Sequence, residues 1–279
     1  MTRTIAGLSE IADRYDALIC DVWGVVHNGR EAYQQACQAL VRFAETRGPV
    51  VLLSNAPRPA SAVVPQLDAF HVPRSAWQGF ITSGDATRAL LKERVPGPAW
   101  AIGPDRDHPL FEGIDLGFAG PGEAAFIACT GLVDDETETP EDYREVLTLA
   151  AGRGLEMICA NPDRVVQRGE KLLYCAGALA DLYEGLGGTV IMAGKPYGPV
   201  YDLALTEAAG LAGKPAMPRE RVLCVGDGLP TDIKGANNQG LDALFVLGGI
   251  HGEELGGNAQ ALLDRDGLIA AYDMPELYW

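Results

Sequence analysis

Leu18-Ile19-Cys20-Asp21-Val22-Trp23-Gly24-Val25 is the stretch on which the reading of this chain turns. An apolar run from Ala17 to Cys20 stops at a single carboxylate, and Gly24 and a further apolar pair come after it. A strand buried on both faces of a parallel sheet has this unbroken apolar character. The C-terminal end of such a strand is where open α/β sheets bind their ligands. One acid after an apolar run is also an ordinary turn residue, so residues further down the chain decide between the two. Trp23 fits neither pattern.

Outward from this stretch, strands and helices alternate. Residues 31–47 predict a helix with Ala32, Ala36, Ala39, Leu40 and Phe43 on one face, stopped by Gly48-Pro49. Val50–Leu53 predicts a strand ending at Ser54-Asn55, with a helix from Pro59 to Phe70 and a further strand at Gly79–Thr82. After a helix over Asp85–Arg94, strands are expected at Ala99–Ile102, Ala124–Cys129 and Leu155–Cys159. The helix between the last two carries Thr139 as cap, Pro140 at its first position and Glu141 and Asp142 in its first turn. Thr189–Met192 predicts a strand leading into Gly194-Lys195-Pro196, followed by a helix through Val200, Leu203, Ala204, Ala208 and Leu211. Arg221–Val225 predicts a strand ending at Gly226-Asp227-Gly228. Thr231 is then placed to cap a helix running to Gly240. Asp242–Leu247 predicts another strand, Ala259–Arg265 a short helix, and Tyr272–Trp279 an aromatic tail that packs on the core or on a partner subunit.

This order predicts an α/β protein. Residues 1–83 and 187–279 form a Rossmann-like parallel-sheet core, and 84–186 an α/β domain inserted into it. The net charge of −16 disfavours nucleic acid and anionic membrane as partners. It leaves room for a small phosphorylated ligand, because one Lys and a metal ion reverse the local field. None of the six cysteines forms a C-x-x-C pair, Met1–Arg14 does not read as a signal peptide, and no apolar run reaches membrane-span length. A cytoplasmic protein is the expectation, with a homodimer left open.

Four segments at strand ends carry the chemistry: Asp21, Ser54-Asn55, Lys195, and Asp227 through Asp232. Asp21 and Asp227 suit a hard cation such as Mg²⁺, and Asp232 suits either direct ligation or orientation of its water shell. Lys195 suits phosphate as a point charge, and Ser54 suits phosphate oxygens through its hydroxyl. Each has a plainer reading, as turn residue, loop lysine or helix-terminal acid. Their recurrence, each after an apolar strand, favours one shared site.

Asp21-Val22-Trp23-Gly24, Leu53-Ser54-Asn55, Gly194-Lys195-Pro196 and Val225-Gly226-Asp227 with Thr231-Asp232-Ile233 resemble the four motifs of the haloacid dehalogenase-like (HAD) hydrolases. The glycine-lysine-proline motif and the segment Ile158-Cys159-Ala160-Asn161-Pro162-Asp163 resemble the large-cap, class IIA branch of nitrophenylphosphatase-like and sugar-phosphatase-like enzymes. The resemblance spans nearly the whole chain. It implies an Mg²⁺-dependent hydrolase of small phosphate monoesters, a sugar phosphate or related phosphometabolite. Asp21 would attack phosphorus to form an aspartyl-phosphate. Mg²⁺ would bridge Asp21, a substrate oxygen, the backbone carbonyl of Trp23, and Asp227, with Asp232 beside it. Ser54 and Lys195 would stabilise the transition state, with Asn55 beside them on the phosphate. The cap residues Asn161, Asp163, Arg164 and Arg168 would face the substrate, with Asn161 and Arg164 as its binding residues.

The family motif places a second Asp two residues after the nucleophile, to protonate the leaving group and then activate water. Here that position is Trp23, whose indole exchanges no proton at neutral pH. General acid–base help is worth about 10²–10⁴-fold in rate. Three expectations stay open: a slow phosphatase, an acid supplied from elsewhere with His27 as the nearest candidate, or a phospholigand-binding or regulatory protein without efficient turnover. A different reaction at the same core, C–P or C–halogen cleavage or transfer to an acceptor, is a further alternative. The Asp227/Asp232 pair argues against a metal-free dehalogenase.

Overall fold

The computed structural model describes residues 2–168, 171–248 and 259–279. In chain order its strands are β1 (Arg3–Thr4), β2 (Ala17–Asp21), β3 (Val50–Ser54), β4 (Gly79–Thr82), β5 (Ala99–Ile102), β6 (Phe126–Cys129), β7 (Glu156–Cys159), β8 (Val165–Arg168), β9 (Lys171–Tyr174), β10 (Thr189–Met192), β11 (Val222–Gly226), β12 (Asp242–Val246) and β13 (Tyr272–Met274). The α-helices are α1 (Gln34–Thr46), α2 (Ala60–Ala69), α3 (Ser83–Lys92), α4 (Arg144–Gly152), α5 (Ala176–Gly185), α6 (Gly198–Leu211), α7 (Lys234–Gln239) and α8 (Ala259–Asp266). No helix among the described residues is long and apolar enough to cross a membrane. The chain divides into two compact units, Met1–Ser54 with Val64–Ile81 and Lys195–Trp279, and Asn55–Val63 with Thr82–Gly194.

The first unit is built on a seven-stranded sheet in the order β1-β13-β12-β11-β2-β3-β4. β2 and β11 lie at its centre, parallel, and every residue of both is buried. That is why their sequences are apolar without alternation: both faces are covered, so neither face selects polar residues. From β2 the chain builds outward through β3 and β4, then returns to the other side of β2 at β11 and builds outward through β12 and β13. The order therefore reverses between β2 and β11, the switch point at which parallel sheets open a crevice at their carboxyl ends. The register fills that crevice. Cys20 pairs with Val225, and Asp21 with Leu53. Asp21 thus ends its strand level with Leu53, and Ser54 and Asp227 each come within one residue of that edge. Helix α1 buries Ala36, Cys37, Ala39, Leu40 and Phe43, largely the face predicted.

The aromatic tail differs from expectation. Its first residues enter the sheet as β13, between β1 and β12, with Tyr272 and Met274 buried. A three-residue strand has no periodicity of its own; its pairing with β12 and β1 makes it a strand.

The second unit has a four-stranded parallel sheet in the order β10-β7-β6-β5, and an antiparallel hairpin of β8 with β9. Ile127, Met157, Leu179 and Tyr183 are fully buried in its core. β10, which the sequence assigned to the core after residue 186, pairs instead with β7 of this sheet, Thr189 opposite Glu156. Thr189-Val190-Ile191-Met192, exposed at its first residue and half-buried at the other three, fits an edge strand of either sheet, so local pattern does not choose between them. The helix expected after Thr139 begins as a 3₁₀ turn, Pro140–Tyr143, before α4, and the Thr139 N–H donates to Asp142 at 2.8 Å. The hairpin and α5 were not legible as elements in the sequence.

Helix α3 starts at Thr82, whose buried hydroxyl accepts from the Asp85 N–H (3.1 Å) and donates to the Arg58 carbonyl (2.8 Å). Thr82→Ala removes the cap and leaves that carbonyl without its donor, so a loss of about 1–2 kcal/mol is expected. Urea unfolding of the variant against the parent measures it; an unchanged midpoint would show that the cap contributes nothing.

Candidate active site

The carboxyl end of the first unit's sheet gathers three acids and one lysine. Asp21 terminates β2, and Asp227 comes directly after β11. Asp232 lies in a single π-turn, Leu229–Ile233, that precedes α7. Carboxylate oxygens of the three lie within 4.8 Å of one another, and all three side chains are buried. Lys195, 3 % exposed, places its Nζ between two of them. It donates to Asp21 Oδ1 and, at 2.7 Å, to Asp232 Oδ1. The other Asp232 oxygen accepts from the Gly228 N–H at 3.0 Å, which fixes the carboxylate against the loop.

The electrostatics arise from burial and from count. Desolvation, then the negative charge of Asp232, pushes the Asp21 carboxyl well above the usual range, and the Lys195 ammonium opposes this. Burial alone disfavours a charged Lys195, but Asp21 and Asp232 outweigh it and hold the ammonium protonated. With one ammonium among three carboxylates, the cluster keeps, among the described residues, a formal excess of negative charge in a buried site. A hard divalent ion, which takes oxygen ligands, fits that donor set and that imbalance.

The turn after β2 is tightly specified. The Gly24 N–H donates to the His27 carbonyl (2.8 Å), and the Val26 and His27 N–H groups both donate to the Val22 carbonyl (2.8 and 3.1 Å). Gly24 has φ +86°, and a Cβ there would stand 2.2 Å from Asp227 Oδ2. Only glycine satisfies both constraints. Trp23 lies edge to face with His27 (centroids 5.3 Å, 78°), and His27 with Phe70 (4.9 Å, 63°). The His27 Nδ1 accepts from the Gly29 N–H at 3.0 Å, and burial pushes its pKa down to about 4. His27 is therefore a neutral packing residue of this turn.

Thr231 does not cap a helix. Gly228 precedes the π-turn, and its carbonyl accepts from the Asp232 and Ile233 N–H groups (2.8 and 3.1 Å). The wide turn swings Asp232 back toward Lys195, which an α-helix capped at Thr231 would not require. Ser54 ends β3, half-buried, on the same sheet edge as Asp21. The remaining sequence candidates lie in the second unit. The Asn55 Nδ2 donates to Asp163 Oδ1 at 2.8 Å, and the Asn161 Oδ1 accepts from the Asp163 N–H at 3.0 Å. Arg164 is bidentate on Asp181 (2.5 and 3.0 Å). Arg168 lies in β8, with its side chain outside the described part. Sequence reasoning missed Gly29 and Phe70, which seat the Trp23 and His27 rings; the only signal was the turn-forming Asn28-Gly29 pair.

Comparison with known proteins bears on the family and the fold. The family profile described as haloacid dehalogenase-like hydrolase matches residues 18–117, and a second, HAD-hydrolase-like, matches 192–264. A crystal structure of a hydrolase of the haloacid dehalogenase-like family from Brucella suis is 42 % identical, over 97 % of this chain and 98 % of that one, with a TM-score of 0.88. The 5′-nucleotidase YutF of Bacillus subtilis is 28 % identical over 85 % of this chain and 88 % of its own. The crystal structure of a glycerol phosphate phosphatase from Mycobacterium tuberculosis in complex with calcium is 25 % identical, covering 86 % of this chain and 68 % of that one, with a TM-score of 0.67.

Two outcomes test the geometry of the cluster. Lys195→Met removes the ammonium that Asp21 and Asp232 share, and in the presence of a chelator it is expected to lower unfolding free energy by about 3 kcal/mol. Millimolar divalent cation should then stabilise the variant more than the parent, because binding to the native state alone raises stability with ligand concentration. Chemical denaturation with and without the cation reads both. Gly24→Ala, strained and driven into Asp227, is expected to lose about 1–3 kcal/mol, visible in the same assay. A neutral result at Gly24 would mean that the turn is not held as described.

Proposed function

We propose that this chain, which belongs to the haloacid dehalogenase-like hydrolase family in its nitrophenylphosphatase-like branch, is a phosphatase of small phosphorylated metabolites. The observation that carries the reading is the placement of Lys195 between Asp21 and Asp232, with Asp227 beside them, on one sheet edge. Asp21 is the nucleophile: its carboxylate attacks phosphorus and becomes an aspartyl-phosphate, which water then hydrolyses. Lys195 and Ser54 hold and neutralise the phosphoryl oxygens, on which charge is spread in the transition state. Asp21, Asp227, Asp232 and the backbone carbonyl of Trp23 would hold Mg²⁺, which when bound would supply further positive charge at those oxygens. Asn55 contributes to phosphate binding, and Asn161 and Arg164 to the rest of the substrate. The enzyme acts in the cytoplasm, as a monomer or homodimer, on small molecules; the net charge of −16 accords with a partner that is neither nucleic acid nor membrane.

A second reading, a phospholigand-binding protein without efficient turnover, draws on the indole at position 23. The two separate in one set of measurements. With Mg²⁺, p-nitrophenyl phosphate and a phosphometabolite panel are expected to turn over repeatedly, and chelation or Asp21→Asn to abolish the activity. Lys195→Met is expected to lower kcat/KM by about 10²–10³-fold. Activity that survives Asp21→Asn would sink the reading. Binding by calorimetry with no product would favour the second one.

A further inference from the structure

The position two residues beyond Asp21 is not merely vacant of an acid; it is furnished for an indole. Gly29, at φ +83°, passes under the benzo edge of Trp23 so closely that a Cβ would lie 2.3 Å from its Cη2. His27 closes one side edge to face, and Phe70 backs His27 in turn. His27 is 4 % exposed, and its Nδ1 already accepts from the Gly29 N–H. The groups clustered with Asp21 are two carboxylates and the Lys195 ammonium, and that ammonium donates to Asp21 and Asp232. The indole N–H is a donor of hydrogen bonds and not of protons at neutral pH. Among the described residues, no group of this constellation is placed to hand a proton to a departing oxygen.

Resting on the phosphatase reading, we propose that the substrates carry their phosphoryl group on an acidic oxygen: a carboxylic–phosphoric anhydride, an enol phosphate or an aryl phosphate. In the first step the Asp21 carboxylate forms an O–P bond while the P–O bond to the leaving oxygen breaks. That oxygen keeps the electron pair and departs as an anion, which leaves without a proton far more readily than an alkoxide because its conjugate acid is a much stronger acid than an alcohol. In the second step water attacks phosphorus, the Asp21 carboxylate is regenerated, inorganic phosphate leaves, and the proton of the water passes to solvent. An alkyl phosphate such as glycerol phosphate, named for one relative, would have to expel an alkoxide and is a poor substrate here. A missing general acid of this kind is worth about 10²–10⁴-fold, and the whole of it falls on substrates with basic leaving groups.

The test is the dependence of kcat/KM on leaving group, with Mg²⁺ present, across acetyl phosphate, a series of aryl phosphates from p-nitrophenyl to phenyl, and glycerol 3-phosphate. A fall of about 100-fold or more from p-nitrophenyl to phenyl phosphate is expected, with glycerol 3-phosphate lower still. A change of less than about tenfold would overturn the inference, since it requires a proton donor elsewhere, and would leave the phosphatase reading intact. Turnover of no member, acetyl phosphate included, overturns both. Trp23→Asp is expected to flatten the dependence, and Trp23→Phe, which keeps an aromatic ring in the seat, to leave it steep. Should Trp23→Asp fail to fold, the parent series and Trp23→Phe decide the matter. Tyr33, held against the same turn by its N–H donating to the Val26 carbonyl at 2.8 Å, is the control donor: a dependence that steepens in Tyr33→Phe identifies that phenol as the acid and overturns the proposal.

Discussion

One ammonium group lies among three buried carboxylates, and most of the first unit can be understood as the scaffold that keeps it there. Lys195 bonds Asp21 and Asp232, so three chain segments distant in sequence meet at one charge. Uncompensated, such acids would protonate or draw in water; paired, they hold their geometry. The strands bring the charges together at little cost, because β2 and β11 are neighbours, buried on both faces, and end at the same edge. The cluster remains formally more negative than positive, a donor set that fits a hard cation.

The turn after β2 obeys a second constraint, set by shape. Gly24 must clear the Asp227 carboxylate, and Gly29 must pass beneath the Trp23 ring. His27 and Phe70 complete a small aromatic wall behind the turn. A residue that merely replaced an acid would have no reason to be matched by a glycine and two further rings. The turn sets a packed aromatic surface beside Asp21, at the end of the strand that the turn follows. The second unit holds its own loops in order by different means: Asn161 and Asp163 form a local hydrogen-bonded turn that Asn55, distant in sequence, bonds, and Arg164 is paired with Asp181.

Local pattern along the chain was enough to specify the alternation of strand and helix, the parallel character of the two larger sheets and the strand-end positions of Asp21, Ser54, Lys195 and Asp227. Those features come from local physics: continuous apolar runs for strands covered on both faces, caps and glycines for helix ends. The sequence also placed an indole at position 23. The tertiary structure decided what pairing over long distances decides. β10 joined the second sheet, the tail became β13, and Leu229–Ile233 opened into a π-turn that swings Asp232 to Lys195. It decided, too, that His27 is a neutral packing residue, because only in the fold does Gly29 bond its Nδ1 and Phe70 cover its ring. Burial, register and charge pairing arise between segments far apart in the chain, and no local window of residues contains them.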